Sequence, residues 1–170
     1  MIKKAFLLVL TLLLTNVYAQ NNPLIVVDAK KIGFMKDINE QIQAINPDDV
    51  SIVTVFKDSL VCEKYGSKTG VIVITTKKYI RDTFYSNFIA ISSLKEKIKT
   101  SDDLTTIGIF GGNATNKNQP YDELVKYIDT YTINQTIEKI AQMVFIEPKD
   151  AIKLNPEWTN GALEITAKFE

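Results

Sequence analysis

Ile45-Asn46-Pro47-Asp48-Asp49-Val50-Ser51-Ile52-Val53-Thr54-Val55-Phe56-Lys57-Asp58, then Tyr65-Gly66, then Gly70-Val71-Ile72-Val73-Ile74-Thr75-Thr76-Lys77-Lys78, is the stretch that decides the fold. Pro47 cannot continue a helix and biases Asn46 toward extended backbone, so a preceding helix must stop near Ile45. Residues 51–56 then read as a strand, with Ile52, Thr54 and Phe56 on one face and Val53 and Val55 on the other. Residues 71–76 read as a second strand, with Val71 and Val73 opposite Ile72 and Ile74. Strands apolar on both faces belong in the middle of a sheet that is covered twice.

Upstream, Leu24-Ile25-Val26-Val27 is a short β-branched run ended by Asp28, and it reads as a third buried strand. Lys30-Lys31-Ile32-Gly33 reads as a polar turn. Asp37 with Glu40 three residues on has the spacing of a capping box, and Ile38, Ile42 and Ile45 follow at helical intervals. The result is a βαββ unit with one helix, so a second covering layer must come from elsewhere. Residues 79–100 are the candidate: Ile80, Phe84, Phe88, Ile91, Leu94 and Ile98 recur every three or four residues, which predicts a connecting helix of about five turns.

The rest of the chain repeats this grammar. Residues 105–110 are strand-like, Gly111-Gly112-Asn113 is a turn, and Pro120 suits the first position of a helix carrying Leu124, Val125 and Ile128. Thr132 with Gln135 suggests another capped helix, followed by Ile133, Ile137, Ile140, Ala141 and Val144. Gly161-Ala162-Leu163-Glu164-Ile165-Thr166-Ala167-Lys168 keeps Gly, Ile, Thr and Lys in register with Gly70 to Lys77. Pro148-Lys149-Asp150-Ala151 resembles Pro47-Asp48-Asp49-Val50. The expected fold is therefore α+β: small mixed sheets with helices, built on a βαββ unit that is duplicated. The expected division is 1–19, 20–78, a connecting helix at 79–100, and a second α+β unit at 101–170.

The first segment has the form of a secretory leader. Met1-Ile2-Lys3-Lys4 is basic, an apolar run continues to Leu14, and Val17-Tyr18-Ala19 is a small-residue cleavage pattern before Gln20. Later apolar runs are too short to span a membrane. The chain has 20 basic and 20 acidic residues; without Lys3 and Lys4 the balance is slightly negative, which gives no attraction to nucleic acid or anionic lipid. One cysteine, Cys62, excludes an internal disulfide and reads as a small buried hydrophobe. The absence of histidine removes the commonest general base and metal ligand together.

Pro23-Leu24-Ile25-Val26-Val27-Asp28, Ile45-Asn46-Pro47-Asp48-Asp49-Val50, Val55-Phe56-Lys57-Asp58, Tyr65-Gly66 and the run from Gly70 to Lys78 occur in an order and spacing that resemble the plug domain of TonB-dependent outer-membrane receptors, closest to the SusC-like branch. The likeness covers residues 23–78, about a third of the chain. It implies the fold and a Gram-negative envelope location, periplasmic or secreted. The chain departs from the pattern at Asp28-Ala29, where the family usually has Asp-Gly. Its connection from Tyr65-Gly66 to Gly70 is also about two residues short. No barrel can be built from residues 79–170, so nutrient import is not implied.

Chemistry is sparse. Ser92-Ser93-Leu94-Lys95, Tyr85-Ser86-Asn87 and Lys68-Thr69-Gly70 mimic the serine β-lactamase elements, but in reversed order and in a chain too short for that fold. Asp48-Asp49 and Asp102-Asp103 sit at helix ends or turns, where Asp is expected for local reasons. Gly111-Gly112 lacks a following Gly-Lys-Ser/Thr, and Asn113-Ala114-Thr115 and Asn134-Gln135-Thr136 are formal glycosylation acceptors only. Asp28 and Asp58 are expected to cap or end strands. Neither catalytic, cofactor nor metal residues are assigned. The expected function is a non-enzymatic binding module that docks to an envelope protein partner through a strand edge. A small envelope hydrolase or lyase using carboxylates and lysine is the alternative, and a degenerate receptor fragment is the third possibility.

Overall fold

A computed structural model describes residues 22–111 and 120–168. The leader-like segment, Gly112-Asn113 and the first glycosylation-type triplet lie outside the described residues. The chain forms an α+β structure of two compact units: one runs to Lys77 and takes in Thr130–Asn134, the other comprises Lys78–Asp129 and the chain from Gln135 onward. Among the described residues no helix is long and apolar enough to cross a membrane.

Unit 1 is a four-stranded sheet of β1 (Leu24–Val27), β2 (Lys30–Phe34), β3 (Val50–Phe56) and β4 (Val71–Thr76), in the order β2-β1-β4-β3. β1 runs parallel to β4, while β2 and β3 run antiparallel to their neighbours. The lysines expected to form a turn are in β2. The turn itself is Asp28-Ala29, both with positive φ (50° and 61°), between the paired residues Val27 and Lys30. That is the type I′ geometry whose twist suits a two-residue hairpin, and it explains why a glycine is the usual second residue at such a site. Asp28 then fixes the end of β1 to β4, its carboxylate accepting from the Thr76 amide (2.8 Å) and hydroxyl (2.9 Å).

β4 is the central strand, and Val71 to Ile74 are all buried. Each fully buried aliphatic side chain of this kind contributes about 1.5–3 kcal/mol. Ile72 and Ile74, with Ile25, face Met35, Ile38, Ile42 and Ile45 around α1 (Asn39–Gln43). Asp37 ends a 3-10 turn before α1 and does not cap it. Val71 and Val73, with Leu24 and Val26, face Cys62 and Tyr65 of α2 (Ser59–Tyr65). This second helix supplies the layer expected from residues 79–100. Its signals are local: Asp58 caps the Leu60 and Val61 amides (2.9 and 3.0 Å), and Gly66 ends it at φ +79°. β3, expected mid-sheet, is an edge strand, half-buried along its length.

Unit 2 begins in α3 (Lys77–Phe84), which passes into a π turn, Tyr85–Ile89, and later a 3-10 turn, Ser93–Glu96. The five-turn helix is therefore interrupted. The extra residue of the π turn, closed by the Ala90 amide on the Tyr85 carbonyl (2.9 Å), rotates Ile89 into the core and leaves Ile91 80% exposed. A three-stranded sheet comes next, β5 (Gly108–Gly111), β6 (Ile140–Ile146) and β7 (Ala162–Ala167), in the order β5-β7-β6. α4 (Pro120–Leu124) continues into a 3-10 turn, Val125–Tyr127, and α5 (Pro148–Leu154) links β6 to β7. One sheet face packs on Ile80, Phe84, Ile89, Ile98, Leu124 and Tyr127; the other packs on Ala151 of α5 and on Trp158.

The capped helix expected from Thr132 is replaced by β6. Ile133, Ile137 and Ile140 match a helical spacing, but 140–146 is seven residues without a charge, and pairing with β7 places Met143 and Phe145 against the core. The two sheets pair alike. β1 is parallel to β4 as β5 is to β7, and the last strand of each is antiparallel to a seven-residue strand with a register shift after its first residue. Gly70 and Gly161 hold matching places, each with positive φ, each accepting from the first amide of the parallel strand at 3.0 Å. Pro47 and Pro148 do not match: Pro47 precedes β3, whereas Pro148 lies beyond β6 and opens α5.

Candidate functional site

The polar residues singled out from the sequence are engaged in local structure. The Ser92 hydroxyl donates to the Ile89 carbonyl (3.0 Å) and accepts from the Leu94 amide (3.3 Å), so it holds the turn after the π segment. Lys68-Thr69-Gly70 lies in unit 1, where Thr69 donates to the Asn22 carbonyl (2.7 Å). Asp48 and Asp49 occupy a 3-10 turn capped by the Asn46 side chain on the Asp48 amide (3.1 Å). Asp103 accepts from the Lys99 and Thr100 amides (2.8 and 2.9 Å), and Asp102 pairs with Arg81 (3.1 Å). Cys62 is buried, its thiol 3.5 Å from the Phe56 carbonyl. Among the described residues no group of three acidic or cysteine side chains could hold a metal ion.

Three polar groupings are not evident from the sequence. Tyr65 accepts from the Ile133 amide (2.9 Å) and donates to the Tyr131 carbonyl (2.8 Å), tying Thr130–Asn134 onto α2. In unit 2, buried Glu123 accepts from the Tyr127 hydroxyl (2.9 Å) and the Lys126 ammonium (2.7 Å), beside Gly111, which lacks the methyl that would collide with the carboxylate. Burial, reinforced by the bond to Glu123, pushes the Tyr127 hydroxyl well above its usual range. Around α3, Lys78 and Ser101 both donate to Asp82; burial pushes that carboxyl up, but these hydrogen bonds outweigh it and hold it below the usual range. The one sequence signal for the Glu123 cluster is Glu123-Leu124-Val125-Lys126-Tyr127, a helical i, i+3, i+4 spacing. These groups satisfy one another and position backbone.

The surface feature common to both units is the sheet edge. β2 is a guarded edge: it shares a register shift with β3 and β6, but of these three it alone carries charges, Lys30 and Lys31, which discourage further pairing. β5 is short, four residues, with Gly108 to Phe110 buried. β3 and β6 are different. Each is seven residues long, each is the outermost strand of its sheet among the described residues, and neither carries a charge or a proline. Such an edge offers a row of backbone donors and acceptors to an extended segment.

The TonB-dependent receptor SusC of Bacteroides thetaiotaomicron is 42% identical to this chain over 64 residues, which make up 35% of this chain and 6% of that receptor. The chain thus contains a region related to a TonB-dependent receptor and spans a small fraction of that relative's length. No family model matches the chain. No solved structure matches it either.

Proposed function

We propose that the protein is an exported, non-enzymatic binding module of the Gram-negative cell envelope, periplasmic or secreted, whose unit 1 is plug-domain-like and whose unit 2 is a diverged copy of the same core. It docks an envelope protein by accepting an extended segment along β3. The likeness to SusC, over 35% of this chain, supports the first part. The matching strand pairing and the paired glycines, Gly70 and Gly161, support the second. The open edge of β3 carries the docking reading. Main-chain bonds along that edge would supply affinity, and side chains alternating across it would supply selectivity.

The test is site-specific photo-cross-linking in the native envelope, with the probe at Thr54 on β3 and, as control, at Lys36 beyond β2. One partner captured from Thr54 alone, cross-linked within a single extended segment, is the expected outcome. Equal capture from both positions, or none from Thr54, would refute docking at β3.

A further inference from the structure

We propose that Thr130–Asn134 is a detachable clasp on a peptide-recognition face of unit 1, and that its release opens this face to a partner segment of the same chemistry. The inference rests on unit 1 and does not depend on what β3 binds. Cys62 and Tyr65 of α2, buried against Val26 and Val73 of the sheet, form the apolar cluster on which Ile133 packs. The Tyr65 hydroxyl donates to the Tyr131 carbonyl (2.8 Å) and accepts from the Ile133 amide (2.9 Å). One hydroxyl thus bridges backbone groups two residues apart and holds a bend. The Tyr131 ring meets the Tyr65 ring edge-on, with centroids 5.7 Å apart. The seated segment defines the class of partner: an uncharged bend in which an aromatic residue is followed two places later by a β-branched aliphatic one.

Three observations make the clasp detachable. Its backbone is strained: Tyr131 has φ 60° and Asn134 φ 68°, a region that asparagine visits readily and tyrosine does not. Release relieves that strain. Its contact is shallow, since Tyr131 stays 39% exposed and Ile133 is half-buried. Its closure lies elsewhere: the Gln135 side-chain amide donates to the carbonyls of Ile128 (2.9 Å) and Val125 (3.3 Å), all three being residues of unit 2. These bonds join unit 2 to itself, so the tip lifts without breaking them.

Tyr65 is held in place by groups outside the clasp. Lys31 of β2 donates to the Tyr65 carbonyl (2.6 Å), and the Phe56 ring lies 5.6 Å from the Tyr65 ring. The reading hydroxyl is therefore positioned whether or not the clasp is seated, and an incoming segment does not have to order it. The clasp competes from within the same chain, at an effective concentration of about millimolar. A free segment of equal length is therefore excluded until the clasp is weakened, and a natural partner must add contacts of its own. Closed is the resting state, and the partner shifts the population toward open.

The experiment is amide exchange on the purified full-length protein. Tyr65→Phe keeps the ring and removes the hydroxyl. Exchange of the Ile133 amide should then rise about thirtyfold, the worth of two hydrogen bonds, while the urea midpoint of unit 2 stays unchanged. Tyr131→Ala/Ile133→Ala empties the face and leaves Tyr65 in place. The peptide acetyl-Thr-Tyr-Thr-Ile-Asn-amide, at millimolar concentration, should raise amide protection in β4 of this variant about tenfold. The same peptide with aspartate for isoleucine should have no effect, and the wild type, its clasp seated, should respond less than about twofold. Circular dichroism confirms folding; Tyr131→Ala alone, at a partly exposed residue, gives the same test where the double variant does not fold. An Ile133 amide indifferent to Tyr65→Phe would overturn the proposal. So would a folded, emptied variant that ignores the peptide, or a wild type that responds equally.

Discussion

Gly70 and Gly161 precede the central strands of the two sheets with nearly the same backbone, φ +107° and φ +99°. Their surroundings differ, and that difference has a measurable consequence. A methyl at Gly70 would lie 3.4 Å from the Phe56 carbonyl and 3.7 Å from Pro23, an ordinary fit. Gly70→Ala should therefore cost only the strain of positive φ, about 1–2 kcal/mol. At Gly161 the methyl would lie 2.6 Å from the Phe145 ring and 2.8 Å from the Ile146 carbonyl, which belongs to backbone and has little room to give. Overpacking of this kind adds about 1–3 kcal/mol, so Gly161→Ala should cost about 2–5 kcal/mol in all. Urea titration separates the two, provided each unit has its own reporter, because two compact units need not melt together. Trp158, the single tryptophan, stacks on Phe110 with ring centroids 5.1 Å apart and reports unit 2 by fluorescence. Amide exchange in β4 reports unit 1. A shift of midpoint without a change of slope would confirm that stability alone has moved. If Gly161→Ala costs no more than Gly70→Ala, enclosure is not what distinguishes the sites.

Two further outcomes rest on local geometry. Ala29 sits at φ +61° in the β1–β2 turn, where an L side chain is strained, so Ala29→Gly should stabilise unit 1 by about 0.5–1 kcal/mol after the added freedom of the unfolded chain is subtracted; a lower urea midpoint would contradict the turn assignment. Burial, then the bond to Glu123, raises the pKa of the Tyr127 hydroxyl. The folded chain therefore keeps a proton that the unfolded chain sheds near pH ~10, so this contribution is whole below that pH and is lost as pH rises further. Tyr127→Phe should flatten the alkaline fall of unit 2 stability, read as urea midpoints by Trp158 fluorescence. An unchanged alkaline limb would show that other groups cause it.

The parts of the fold legible in the sequence are those in which one local rule acts without a competitor. β4 is legible because Gly70 marks its start and Val71 to Ile74 admit no reading but a strand buried on both faces. β2 is hidden because Lys30 and Lys31 look like turn residues, and the real turn uses Ala29 where composition would ask for glycine. α2 is hidden although Asp58 and Gly66 mark its ends, because seven residues give a helical stripe only two turns in which to show. Residues 79–100 mislead in the opposite direction: the stripe is real at Ile80, Phe84 and Ile98, and a π turn between them shifts the phase. The Glu123 cluster needs the third dimension, since Gly111 makes room for the carboxylate from another element.

β6 shows why periodicity alone misassigns the second half. Ile133, Ile137 and Ile140 are four and three apart, as on a helix, yet Ile133 packs with the core of unit 1 and Ile140 with that of unit 2. A stripe whose members serve different cores is a coincidence of spacing. With β6 in place, the two antiparallel strand pairs are spaced alike to within one residue: β3 and β4 begin at 50 and 71, β6 and β7 at 140 and 162. The proline correspondence points to a mismatch of many residues, because Pro47 and Pro148 stand on opposite sides of the equivalent strand. The edge charges then become comparable position by position: Asp49 and Lys57 in one half stand where Lys139 and Glu147 stand in the other.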